Sequence, residues 1–113
     1  MALNFQAPKH EKLLMGRKKN CTVRLGDVSK QYPESSLVWV TTGAKFEPKK
    51  KLFIAYLDKV QVKSMMELTS EDLDHQNPDI NTREDLIADF ENIYKKRITM
   101  EDTVTVIYFS EVL

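Results

Sequence analysis

The apolar residues of this chain fall at two spacings, one that suits strands and one that suits helices. From Asn20 to Leu25, Cys21, Val23 and Leu25 alternate with Asn20, Thr22 and Arg24, the period of a half-buried strand with its polar residues on one face. Leu37-Val38-Trp39-Val40 is an unbroken β-branched and aromatic run. It predicts a short strand buried on both faces, with Trp39 in the core rather than exposed for stacking. Lys51 to Lys63 is the longest strand candidate. Leu52 to Leu57 is nearly all apolar and predicts burial on both sides, whereas Val60 and Val62 alternate with Lys59, Gln61 and Lys63 and predict burial on one. Thr103 to Phe109 is the last strand, with Val104 and Val106 facing in.

Helical spacing is clearest from Thr82 to Lys95, where Leu86, Ile87, Phe90, Ile93 and Tyr94 share a face. Asn81 or Thr82 caps it, Glu84 and Asp85 occupy its first turn, and Lys95, Lys96 and Arg97 complement its negative end. A shorter helix runs from Lys9 to Met15, led in by Pro8 and stopped by Gly16. Thr69-Ser70-Glu71-Asp72 starts a brief helix that Asn77-Pro78 breaks, and Thr99-Met100-Glu101-Asp102 resembles one more capped turn. Gly26-Asp27 opens a loop that Tyr32-Pro33-Glu34-Ser35-Ser36 closes. Gly43 to Lys51, basic and containing Pro48, is the loop of a hairpin. The order is helix, strand, strand, long strand, short helix, helix, strand. With few helical crossovers, this implies an α+β fold with a mixed or antiparallel sheet, curved into a small, partly closed barrel with helices at one end.

At 113 residues and 42% hydrophobic content, the chain fits one domain, residues 1–113, with a real core. A lone Cys21 excludes an internal disulfide and fits a reducing compartment. No secretory signal and no run near the roughly 20 apolar residues of a membrane span occur, so a cytoplasmic location and no membrane partner are expected. The zero net charge conceals an asymmetry. Residues 1–51 hold 11 Lys+Arg and 4 Asp+Glu, a net of +7; residues 52–113 hold 6 and 13, a net of −7. Either the fold has a basic and an acidic pole or its halves neutralise one another.

The composition does not support metal or cofactor chemistry. His10 and His75 have no partner at ligand spacing, Cys21 has no second cysteine, and no glycine-rich phosphate loop or Ser-His-Asp context occurs. Among Glu71, Asp72, Asp74 and Asp79, the first two are accounted for as helix-start carboxylates. Tyr32 and Phe46 lie in loops beside lysines and either stack bases or anchor their loops. The densest chemistry is Gly16 to Arg24, with four cations, a hydroxyl and an amide in nine residues. That segment suits a phosphate or a polar base; the commoner arrangement of such residues is a solvated strand edge.

A helix ending in Gly16-Arg17-Lys18, then Lys19-x-x-Thr22-x-Arg24 entering a strand, resembles the signature of the ASCH domain, found in small bacterial and archaeal proteins. So does the order that follows, down to Thr99-x-x-Asp102 and Val104-Thr105-Val106-Ile107. The resemblance covers nearly the whole chain. It implies a PUA-like β-barrel with flanking helices and binding of RNA or a modified nucleoside through Lys18, Lys19, Thr22 and Arg24. Lys45, Lys49, Lys50 and Lys51 would extend the phosphate track. Some bacterial ASCH members look like amidohydrolases that deacetylate acetylcytidine with a threonine and a lysine, which implies Thr22 and Lys19 here. One extra residue before the threonine leaves either Lys18 or Lys19 as the matching lysine. No glutamate occurs between Asp74 and Asp79, so no third catalytic residue carries over. The sequence is silent on oligomeric state.

Overall fold

A computed structural model describes residues 1–6, 8–16, 20–44, 46–74 and 80–112, and of 8–10 only the backbone. In chain order the elements are β1 (Ala2–Phe5), α1 (Pro8–Met15), β2 (Cys21–Leu25), β3 (Leu37–Thr42), β4 (Lys50–Ser64), α2 (Ser70–Asp74), α3 (Arg83–Tyr94) and β5 (Thr103–Glu111). A 3-10 turn, Met65–Glu67, follows β4. The five strands form one sheet in the order β1-β3-β4-β5-β2. β1 runs parallel to β3, and the other pairs are antiparallel. The sheet is therefore mixed and curls into a half-barrel, the α+β architecture expected from the element order.

The 15-residue β4 changes its facing part-way. Leu57 pairs with Phe109 and Lys59 with Tyr108, so Asp58 is an extra residue, a β-bulge. The bulge moves the inward phase from Phe53, Ala55 and Leu57 to Val60, which packs against the same cluster. That interior cluster includes Leu3, Phe5, Leu14, Val38, Val40, Ile107 and Phe109. A second cluster lies on the outer face, where Cys21, Val23, Val104 and Val106 pack against Leu73, Leu86 and Phe90 of α2 and α3. β5 lies between the two, and Val104, Thr105, Val106 and Ile107 have no exposed surface.

Local chemistry sets the ends of α3. Thr82 is its cap: its hydroxyl accepts from the Asp85 N–H at 3.1 Å, and the Asp85 carboxylate accepts from the Thr82 N–H at 3.2 Å. Lys95 ends the helix in the left-handed region, with φ 55°. Only Leu86 and Phe90 are buried on its apolar face; Ile93 and Tyr94 are exposed. The Thr99 turn forms as expected, with the Thr99 N–H donating to Asp102 at 2.7 Å.

Three expectations are corrected. β1 was not expected from the sequence, because four residues are too few for a periodic signal. β3 is buried on one face, so Trp39 is 38% exposed and not a core residue. The first half of β4 is likewise covered on one side, leaving Ile54 and Tyr56 each 37% exposed. No helix among the described residues is long and apolar enough to cross a membrane.

Candidate functional site

β1 and β2 are the two edges of the curled sheet, and Arg24 joins them. Its Nη2 donates to the Asn4 carbonyl on β1 at 2.9 Å, and its guanidinium lies over the Phe5 ring, 5.0 Å from the centroid. Its Nε donates to Thr22 Oγ1 at 3.3 Å, the alternation along β2 having put both side chains on the interior face. Thr22 is only 5% exposed. Burial pushes the Arg24 guanidinium below its ordinary pKa, and proximity to Tyr32 and Tyr94 partly offsets this. A guanidinium remains protonated at neutral pH even so. Among the described residues no carboxylate pairs with it.

Asn4, absent from the sequence-derived site, ties this edge to the β3–β4 loop. Its Oδ1 accepts from Thr41 at 2.8 Å and its Nδ2 donates to the Gly43 carbonyl at 3.1 Å. The signal was present as a polar residue between Leu3 and Phe5, but on a strand too short to recognise. The same loop carries the basic run. Lys49 donates to the carbonyls of Ala44 and Glu47, folding back on its own loop. Lys50 pairs with Glu11 of α1 at 2.6 Å, and Lys51 lies over the Trp39 ring at 4.9 Å. All three lysines are exposed. Lys18, Lys19 and Lys45 lie outside the described residues. Tyr32 is buried against the interior cluster and anchors its loop, whereas Phe46 is 93% exposed.

A second polar cluster, also not foreseen, lies on the opposite face of the sheet. Asp72 accepts from Lys63 Nζ at 2.8 Å, from the Tyr108 hydroxyl at 2.5 Å and from the Thr69 N–H at 3.0 Å. Burial opposes ionisation of Asp72, but these donors outweigh it and hold the carboxyl below the usual range. Burial, together with the bond to Asp72, pushes the Tyr108 phenol well above its ordinary value. This cluster packs α2 on the sheet and does not meet Thr22 or Arg24, which point the other way. Asp74 is exposed, and Asp79 lies outside the described residues. Among the described residues no group of three or more His, Cys, Asp or Glu could hold a metal.

The curled mixed sheet and its flanking helices define an ASCH/PUA-like fold. An ASCH domain from Lactobacillus crispatus JV V101 superposes with a TM-score of 0.64 at 11% identity, covering 97% of this chain and 77% of that one. A protein of Enterococcus faecalis V583 from family DUF984 gives a TM-score of 0.67 at 13% identity, over 92% of this chain and 67% of the other. The hypothetical protein PH0355 gives 0.66 at 16% identity, over 99% and 100%. At these identities the likeness is one of fold. No family model and no curated protein matches the chain.

Proposed function

We propose that this protein binds RNA or a nucleoside-like ligand at the basic end of its half-barrel, with Arg24 as the central contact. The observation that carries this is the state of Arg24, desolvated, unpaired with any described carboxylate, and spending one N–H on the Asn4 carbonyl and another on Thr22 Oγ1. A guanidinium has five donors, so the remaining ones can take a phosphate or a base edge in a forked geometry. Loop contacts link Lys49 to this end: Asn4 bonds Gly43, and Lys49 bonds Ala44. Lys50, at the start of β4 and paired with Glu11 of α1, and Lys51, beside Trp39, continue the track, with Lys18, Lys19 and Lys45 as the proposed further cations. Likeness in fold to an ASCH domain supports the same reading.

Fluorescence anisotropy with labelled single-stranded RNA tests it. Arg24→Gln should weaken binding about tenfold or more, with the circular dichroism spectrum unchanged. Equal affinity in the variant would end the assignment. Deacetylation of acetylcytidine by Thr22 and Lys19 is the alternative. The Thr22 hydroxyl already accepts from a permanently protonated group, and no described carboxylate reaches it, so binding is favoured. Release of cytidine by the native protein but not by Thr22→Ala would reverse that preference.

A further inference from the structure

Half of the sheet's outer face has no element over it. α2 and α3 cover β2, β5 and the later part of β4, but over β3 and the first half of β4 no described element packs. There Leu37 stands opposite Tyr56 and Trp39 opposite Ile54, and the Val112 N–H donates to the Ile54 carbonyl at 2.9 Å. These five side chains form one strip, exposed from 37% at Ile54 and Tyr56 to 58% at Leu37. Contiguous apolar surface of this kind is uncommon on a monomer. The two runs have the composition of strands buried twice, and the barrel interior supplies only one of those burials.

The strip has an opposite charge at each end. Lys51 sits over Trp39 at one end. Asp58 sits at the other, accepting from Ser110 Oγ at 3.1 Å, and Ser110 stands opposite Tyr56. An apolar middle between a cation and an anion is self-complementary under a two-fold axis through the middle, because each Lys51 then meets the partner's Asp58. We propose that this face is a homodimer interface, with two copies packed sheet on sheet and Lys51–Asp58 pairs closing both ends. A stacked RNA base fits the strip less well. Its indole already carries a cation, aliphatic side chains make up much of the surface, and the far end repels phosphate.

Sedimentation velocity on the full chain, at concentrations bracketing the micromolar range, tests the proposal. Reversible conversion of the 13.1 kDa chain to twice that mass is expected. Lys51→Asp and Asp58→Lys should each raise the dissociation constant about tenfold, and the two together should restore it. Misfolding cannot produce that rescue. A monomer at every concentration, a dimer indifferent to the single reversals, or no rescue in the double variant overturns the proposal. So does RNA affinity that is lost in Trp39→Ala while the protein stays monomeric.

Discussion

Asp72 shows how one side chain serves two structures. It caps the start of α2 locally: the Asp72 N–H donates to Thr69 Oγ1 at 3.2 Å while its carboxylate accepts from the Thr69 N–H. The same carboxylate neutralises Lys63 on β4 and receives the Tyr108 hydroxyl from β5. Its folded-state pKa lies below the ordinary value of an aspartate. The stabilisation is therefore complete above that value and is lost as pH falls through the folded-state pKa. Asp72→Asn leaves Lys63 a mostly buried cation and should cost about 3 kcal/mol at neutral pH. Urea melts at pH 7 and near pH 3 check this: the difference from the native protein should shrink in acid. A difference independent of pH would mean that the carboxylate's charge is not the source. The acidic helix start was legible in sequence; the partners on β4 and β5 were not, because they are 9 and 36 residues away.

The β3–β4 hairpin carries the basic track and depends on Gly43. Its φ is 153°, and a Cβ there would lie 2.9 Å from both the Pro48 carbonyl and Lys49 Cδ. Gly43→Ala should destabilise the protein by about 1–3 kcal/mol and displace the loop. Thermal denaturation measures the first, and reduced RNA affinity the second. The loop was readable from composition, and so were both strands. The bulge in β4 was encoded too, in the change of apolar phase from Leu57 to Val60. Burial of β3 was misread because an unbroken apolar run has no period to distinguish a strand covered twice from one covered once.

Among the described residues, the ion pairs join groups within each half of the chain: Lys50 with Glu11 in the basic half and Lys63 with Asp72 in the acidic half. The excess positive charge of residues 1–51 is thus not cancelled by these pairs. Anisotropy titrations in rising salt should give a line of log affinity against log salt whose slope falls by about 0.7 for each phosphate contact removed. Lys49→Glu should make that slope shallower and weaken every RNA sequence to a similar degree. A loss confined to particular sequences would contradict a phosphate role.

Apart from β1 and the 3-10 turn after β4, element types, their order, the caps of α3 and the Thr99 turn could all be read from the chain. Each depends on residues a few positions apart, through spacing or a local hydrogen bond. The facing of Thr22 and Arg24 followed from the strand period. Assembly set the rest. That Arg24 reaches the Asn4 carbonyl, that β1 pairs parallel with β3, and that α2 and α3 cover one half of the outer face and leave Trp39 outside all depend on how the sheet curls. That curl sums strand twist and two register shifts over the sheet, a long-range quantity that no local window of sequence contains.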